Sequence, residues 1–312
     1  MREVVRESPL AGRFFPADAD ELRGLVDGLL ASAATGQQSA ARPAAPGVWP
    51  ADLRRVRCLV VPHAALAWSG ATAAAAYARL SGASPRRVVL VGPSHFVRFA
   101  GVSVAPYAAY QTPLGELRVD RETCDRLLRH GPPFSDVPEA HAAEHALEVQ
   151  LPFVQRQAPE AVLVPLLCGI DLGRADMLAA AEVLSQIGSD QTLAIASSDF
   201  THYGTSFGYT PFPTEQAAER IRALDEGAIR AVLSRDPDSF LEYVGETGAT
   251  ICGRLAIGLW LWLLHLVAPD LKLELVKYER SADRLADYQH SVSYAAIVGG
   301  EPVAGTGGQP AS

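Results

Sequence analysis

Four continuous runs of β-branched and other apolar residues lie in the middle of the chain, and each is followed by Gly, Pro or polar residues. The runs span residues 56–61, 87–91, 161–167 and 192–196. Uninterrupted apolar runs of this length are typical of strands buried on both faces. Segments with helical spacing accompany them, at 69–80, 144–157, 175–187, 215–235 and 254–267. This alternation predicts an α/β sandwich with a central, mostly parallel or mixed sheet flanked by helices.

The rest of the chain adds a few further elements to this fold class. Residues 21–30 have helical spacing, with Asp18 or Asp20 as the N-cap, and residues 102–110 and 116–119 are predicted to pair antiparallel around a turn at 112–115. We expect one domain over residues 1–303. Residues 31–50, rich in Ala, Ser, Gln, Pro and Gly, are predicted to be a flexible loop insertion, and residues 304–312 a disordered tail.

Composition excludes several classes of function. Lys and Arg number 27 against 35 Asp and Glu, and no basic run is present, which argues against a nucleic-acid partner. The longest apolar stretch, residues 255–268, is too short for a bilayer, so no membrane partner is expected. Four cysteines in 312 residues are too sparse for a disulfide framework. No secretory signal is visible at the start of the sequence, and a cytoplasmic location is therefore expected.

Three histidines follow closely on predicted strands. His63 and His95 come just after the first and second runs, and His202 follows the fourth run through Asp199. In open α/β sheets, ligands bind beyond the carboxyl ends of the strands, so these imidazoles are expected to converge there. Imidazole is both the commonest metal ligand and the usual acid or base near neutral pH. For any one of them, a hydrogen-bonded loop histidine is the alternative interpretation.

Other candidate residues surround this predicted edge. Cys252 precedes the helical segment at 254–267, where the helix dipole is predicted to lower the thiol pKa, although a small buried residue is the alternative. His145 and Glu148 lie three apart on a predicted helix, as a proton relay or as a solvated face. Asp199 could orient His202 or act as an N-cap. The phosphate-binding, dinucleotide-binding and serine-hydrolase motifs are absent from the sequence.

Taken together, these residues resemble the MEMO family, which includes the bacterial AmmeMemoRadiSam system protein B group. The matching segments run in order across the chain: Ala11-Gly-Arg-Phe-Phe-Pro16, Val61-Pro-His-Ala64, Gly92-Pro-Ser-His95, Tyr110-Gln-Thr-Pro-Leu114, Glu144-His-x-x-Glu148-x-x-Leu-Pro152, Ser197-Ser-Asp-Phe-Thr-His-Tyr-Gly204, Ile251-Cys-Gly-Arg254 and Ser291-Val-Ser-Tyr-Ala-Ala296. The resemblance implies a fold similar to the class III extradiol dioxygenases, which use non-haem Fe(II).

The resemblance also implies roles for particular residues. His63, His95 and Cys252 match the two histidines and one cysteine that the family presents for a metal, and His202 matches the acid or base of the dioxygenases. Asp199 and His145 would line the same cleft, with Glu148 a weaker candidate. Fe(II) is the expected metal, with Cu and Zn as alternatives. The chain departs from the family pattern at Ala65-Leu66, where Gly-Tyr is usual, and at Phe96, where a basic residue is frequent.

Three hypotheses for function follow. In the first, the chain is a metal-dependent oxidoreductase, a dioxygenase that uses O₂ and a small phenolic or indolic substrate. In the second, the cleft binds a metal for storage or redox control, or binds a peptide, without catalysis. In the third, Cys252 is a nucleophile with His202 as its base. A homodimer is compatible with each of them, because the sequence does not determine the oligomeric state.

Overall fold

The computed structural model describes residues 4–35, 53–80 and 85–302. Its strands are β1 (Val5–Arg6), β2 (Leu53–Val61), β3 (Arg87–Pro93), β4 (Val102–Val104), β5 (Ala109–Thr112), β6 (Gly115–Arg118), β7 (Phe134–Ser135), β8 (Val162–Cys168), β9 (Thr192–Ser197), β10 (His202–Gly204), β11 (Lys272–Arg280) and β12 (His290–Pro302). Its α-helices are α1 (Ala19–Ala34), α2 (Leu66–Tyr77), α3 (Arg121–His130), α4 (Pro138–Ala142), α5 (His145–Glu148), α6 (Leu151–Gln157), α7 (Arg174–Ser185), α8 (Thr214–Leu233), α9 (Pro237–Thr247), α10 (Arg254–Val267) and α11 (Ser281–Leu285).

A mixed sheet of nine strands forms the centre of the described residues. The strand order is β10-β12-β2-β9-β3-β8-β4-β7, and β11 pairs with β12. The four predicted runs became β2, β9, β3 and β8, which pair in parallel at the middle of the sheet. β12 and β4 pair antiparallel on either side of them. The predicted α/β fold with a mixed sheet flanked by helices is therefore confirmed.

The helices bury the apolar side chains of these strands. In β3, every residue after Arg87 is buried, as expected for a parallel strand covered on both faces. α10 is apolar around most of its circumference and packs on β9 and β3, and α2 packs on β12 and β2. Trp260 of α10 is fully buried, and its indole N–H donates to the Ala194 carbonyl of β9 at 3.1 Å.

Some predicted boundaries are wrong. The helix predicted at 21–30 extends from Ala19 to Ala34, with Asp18 as its N-cap, so the loop predicted to begin at residue 31 begins later. The remainder of that loop and the predicted 304–312 tail lie outside the described residues. The strand predicted at 102–110 is two strands in different sheets, because β5 joins β1 and β6 in a separate three-stranded sheet. The antiparallel pairing around the 112–115 turn is confirmed between β5 and β6.

The helix predicted at 144–157 is broken into α5 and α6. The Glu144 carboxylate caps α5, and α6 begins at Leu151 with Pro152 in its first turn. Proline has no amide hydrogen to donate to the preceding turn, so a helix starts there more readily than it continues through it. His145 and Glu148 both lie in α5, before the break.

Two further observations concern the chain as a whole. Among the described residues, the helices are all too short or too polar to cross a membrane. The four cysteines are free thiols, and Cys58, Cys124 and Cys168 are buried.

Candidate metal site

Three histidines meet at the carboxyl edge of the parallel strands. His63 follows β2 and His95 follows β3, while His145 opens α5. Their ring centroids lie 5.2 Å apart for His63 and His95, 5.2 Å for His63 and His145, and 4.3 Å for His95 and His145. One ligand nitrogen from each lies within 4.8 Å of the others, close enough to share one metal ion.

His63 is buried and its ring is held at both nitrogens. Nδ1 lies 3.0 Å from Ser197 Oγ, and Nε2 lies 3.2 Å from Cys252 Sγ. Its backbone N–H donates to Asp199 Oδ1 at 2.8 Å. Burial, followed by the nearby His95 and His145, lowers the pKa of His63 well below its ordinary value. The imidazole is therefore neutral at pH 7, which is the form that binds metals.

Cys252 stands next to His63, in the turn that precedes α10. Its Sγ also accepts the Asp199 backbone N–H at 3.3 Å. Burial and the Asp199 carboxylate raise the pKa of the Cys252 thiol above its ordinary value. The lowered pKa predicted from the helix N-terminus is therefore wrong for the metal-free protein, because desolvation and a neighbouring anion outweigh the dipole. Metal coordination deprotonates a thiol outright, so the raised pKa does not exclude Cys252 as a metal ligand.

Glu144 also belongs to this site, although the sequence analysis assigned it no role. Its Oε2 accepts the His95 backbone N–H at 2.7 Å, and its Oε1 lies 2.8 Å from His95 Nδ1. Oε1 also accepts the backbone N–H groups of His145 and Ala146 at 2.9 Å each. A carboxylate on Nδ1 is the usual partner of a metal-binding histidine, because it fixes the ring and leaves Nε2 free. A glutamate directly before His145 at a helix start was the available signal.

Glu144 strongly favours its charged carboxylate form over the protonated acid. Burial raises the pKa of this carboxyl, but its interactions with the nearby His145 and His95 side chains outweigh burial and hold the pKa well below its usual range. A carboxylate whose pKa falls on folding stabilises the protein at pH values above its unfolded pKa of about 4.3. That stabilisation is lost as the pH falls through the lower, folded pKa.

We expect Glu144→Gln to lower the free energy of unfolding by ~1.5–3 kcal/mol at pH 7, the range for hydrogen bonds to a charged group. The difference from the wild type should shrink as the pH is lowered from 7 to 3. Urea unfolding across this pH range measures it. Glu139→Gln, at an exposed position in α4, is the control and should change little. A deficit that stays constant with pH would contradict an anionic Glu144.

His202 and Asp199 lie beside this cluster. His202 Nδ1 is 3.0 Å from the Thr250 carbonyl, which can only accept, so Nδ1 carries a proton when this bond is formed. Asp199 is buried, and burial raises its pKa despite the opposing charge of His202. Its hydrogen bond goes to the His63 backbone rather than to the His202 ring.

Glu148 lies away from this cluster. Its Oε2 forms a salt bridge with Arg6 Nη1 at 2.5 Å, and both side chains are buried. Its Oε1 accepts from Ser8 Oγ at 2.5 Å and from the Leu10 backbone N–H at 3.3 Å. His145 and Glu148 lie in the same short helix α5, but Glu148 pairs with Arg6 whereas His145 packs against His95. Glu148 instead anchors the N-terminal segment.

Aromatic rings contact the site histidines. Phe14 and Phe96 lie 5.1 Å and 5.9 Å from the His145 ring, and Phe207 lies 5.1 Å from the His202 ring, measured between centroids. Phe96 is 63% exposed, which is unusual for a large apolar side chain beside a polar site. The walls of the site are therefore apolar around a polar centre.

Comparisons with known proteins identify the family of the chain. The sequence model of the Memo-like protein family matches residues 6–298. The chain is 31% identical over 307 residues to Protein MEMO1 of Danio rerio, covering 95% of this chain and 97% of that protein. It is 32% identical over 310 residues to a MEMO1 family protein of Thermococcus kodakarensis, covering 95% and 99%.

Among solved structures, an uncharacterized protein of Escherichia coli K12 aligns with a TM-score of 0.49 at 13% identity, covering 78% of this chain and 99% of that one. The match to the family model over nearly the whole chain, together with relatives of similar length, establishes the relationship. This chain belongs to the Memo-like protein family.

Proposed function

We propose that the chain binds a divalent metal, with Fe(II) preferred, and acts as an O₂-using oxidoreductase on a small aromatic substrate. The main support for a metal site is that three imidazole nitrogens lie within 4.8 Å of one another at the carboxyl edge of the sheet. Two of these three residues, His63 and His95, are also expected ligands from the resemblance to the family's motifs.

The donor set fits a metal. His145 Nδ1 is buried, lies 3.2 Å from Glu144 Oε1, and has no hydrogen bond of acceptable geometry to any described residue. A buried polar nitrogen without a hydrogen bond is costly and needs an explanation, which a nearby metal ion would supply. Ser197 and Glu144 occupy Nδ1 of His63 and His95, which leaves Nε2 of each ring for a ligand.

His63 and His95 are proposed as two ligands, and Cys252 as the third. The case for Cys252 is that its Sγ lies 3.2 Å from His63 Nε2, the nitrogen left free by Ser197. The case for His145 is its place among the three nitrogens within 4.8 Å, a group that does not include Cys252. We assign the third position to Cys252 because the family resemblance pairs a cysteine with the two histidines, and we place His145, which also contacts Phe14, in the cleft wall.

The neighbouring residues suit the chemistry of an oxygenase. His63, His95 and Cys252 would hold a ferrous ion, which would supply the redox chemistry needed to activate O₂ toward a phenolic substrate. His202, held through Nδ1 by the Thr250 carbonyl, presents Nε2 as a proton acceptor or donor. Asp199 fixes the His63 backbone. The rings of Phe14, Phe96 and Phe207 offer surfaces for an aromatic substrate.

A second function is favoured by one observation, the thiol beside His63. Sulfur ligands favour Cu(I) and Zn(II), and they are oxidised easily. In that case the site stores a metal or responds to redox conditions, without turnover.

The test is metal analysis of anaerobically purified protein, followed by O₂ consumption with a panel of catechols and indoles. We expect near-stoichiometric metal and O₂ uptake with at least one substrate. His202→Ala should keep the metal and lose ~10²–10⁴-fold in rate, the contribution of a positioned acid or base. His130→Ala, at an exposed position in α3, is the control. Bound metal with no O₂ uptake from any substrate would favour the storage or redox function.

A further inference from the structure

A buried set of polar side chains lies behind His63, on the side away from Cys252. Ser197 is the last residue of β9, and Gln150 lies between α5 and α6; both side chains are fully buried. Ser197 Oγ contacts three groups: the Ala146 carbonyl at 2.6 Å, His63 Nδ1 at 3.0 Å and Gln150 Nε2 at 3.0 Å. Neither residue was predicted as part of the site.

The direction of the Ser197 hydroxyl proton follows from the chemistry of these partners. A hydroxyl has one proton to donate and two lone pairs. The Ala146 carbonyl can only accept, so a contact of 2.6 Å requires the Ser197 proton to lie between the two oxygens. Ser197 Oγ must then accept from its other two neighbours, which include His63 Nδ1.

The orientation of the Gln150 amide supports the same assignment. Its nitrogen lies 2.8 Å from the Pro62 carbonyl, which can only accept, so this atom is the NH₂ group and not the oxygen. The amide oxygen accepts the Tyr77 hydroxyl at 3.1 Å. The second amide proton of Gln150 therefore points at Ser197 Oγ and prevents that hydroxyl from donating toward Gln150.

We propose that the hydrogen-bond chain Tyr77–Gln150–Ser197 fixes the tautomer of His63, with its proton on Nδ1 and its Nε2 lone pair facing the metal site. Gln150 and Ser197 are thus positioning residues for a ligand. The purpose of this arrangement rests on the proposed metal function, while the tautomer itself belongs to the metal-free protein. The opposite tautomer would place a proton on the nitrogen that faces Cys252.

This hydrogen-bond chain also explains why His63 and His95, which both follow strands, have chemically different partners. Glu144 is a carboxylate and holds His95, which is exposed. His63 is buried beside buried Asp199, where a second anion would be costly to desolvate. A neutral hydroxyl with its own proton committed elsewhere directs the imidazole without adding charge.

The test is ¹⁵N NMR of histidine-labelled protein at neutral pH after removal of metal by a chelator. Imidazole nitrogens with and without a proton have well-separated ¹⁵N shifts, and a His63→Gln spectrum assigns the His63 signals. We expect Nδ1 of wild-type His63 to carry the proton. In Ser197→Ala, the proton should move to Nε2 in a measurable fraction, and the affinity for Zn(II) should fall ~10–100-fold, as when an outer partner of a ligand is lost.

Two further variants keep the outcome clear. Gln150→Met removes both amide donors but leaves Ser197, and it should shift a smaller fraction of the tautomer in the same direction. Ser103→Ala is the matched control, because Ser103 is an equally buried serine whose hydroxyl contacts a different imidazole, His141 Nε2, at 3.1 Å. It should leave the His63 signals and the Zn(II) affinity unchanged.

Two results would overturn the inference: a wild-type His63 protonated on Nε2, or a tautomer that neither Ser197→Ala nor Gln150→Met alters. The wild-type spectrum is informative even if one variant fails to fold. If wild-type His63 has the expected tautomer and the variants shift it, but the wild type binds no Zn(II) or Fe(II), the proposed function fails and the tautomer assignment stands.

Discussion

His63→Ala and His95→Ala are each expected to lose metal affinity by more than the ~10–100-fold that removal of an outer hydrogen-bond partner costs. Each variant removes one of the two imidazoles whose Nδ1 is held by a protein partner and whose Nε2 is left for a ligand. Competition of the anaerobic protein with a chromophoric chelator for Fe(II) and Zn(II) measures this loss. His130→Ala should bind metal like the wild type, because His130 is exposed at the end of α3.

The same measurement assigns the third ligand. We expect Cys252→Ala to lose as much affinity as His95→Ala, and His145→Ala to lose less. A Co(II)-substituted protein should show a sulfur-to-metal charge-transfer band that is absent from Cys252→Ala. The reverse order of affinities, with no such band in the wild type, would assign the third position to His145 and match the group of three nitrogens. Wild-type affinity in both His63→Ala and His95→Ala would refute the site altogether.

Glu148→Ala is expected to destabilise the protein by ~3–5 kcal/mol, the cost of leaving a buried charge without its partner. Arg6 is buried, and its guanidinium also donates to the His141 carbonyl at 2.7 Å and the Glu144 carbonyl at 2.9 Å. It therefore cannot reach solvent without breaking these bonds. The fraction of Glu148→Ala protein that folds should still bind metal, because Glu148 does not contact the histidines of the site.

Urea unfolding measures the loss, and an exposed ion pair supplies the control. Asp27 pairs with Arg156 at 2.7 Å on the surface, so Asp27→Ala should cost only ~0–1 kcal/mol. A double variant, Arg6→Met with Glu148→Met, should recover much of the stability, since apolar residues of similar volume often replace a buried pair without loss. If Glu148→Ala is stable but loses metal or turnover, Glu148 has a catalytic role and not only the structural one.

Much of the fold was predictable because its centre depends on local signals. Continuous apolar runs identified β2, β3, β8 and β9, which the helices cover: α2 packs on β2, and α10 packs on β3 and β9. Because His63 and His95 follow two of these strands, their arrival at the same edge of the sheet could be predicted without any distances. The parallel strands of one sheet end at the same edge. The C-terminal strands β11 and β12 were missed as elements. In β11, buried and partly exposed residues are mixed along the strand, so it has no continuous apolar run.

The site was less predictable than the fold because it depends on side chains that are distant in sequence. His145 and Glu148 have helical spacing and both lie in α5, yet His145 packs against the other two histidines while Glu148 pairs with Arg6. The lowered pKa expected for Cys252 was wrong because a helix dipole can be inferred from sequence, whereas desolvation cannot.

The chain's own order of residues therefore specified which elements form and which histidines end strands, because apolar periodicity and chain direction are local properties. Which atoms face one another was decided only by packing. Glu144 contacts His95 across 49 residues of sequence, and Ser197 contacts His63 across 134 residues. Gln150 contacts the Pro62 carbonyl, next to His63, across 88 residues. Hydrogen bonds over such separations, and the burial that shifts pKa values, exist only once the core has closed around them.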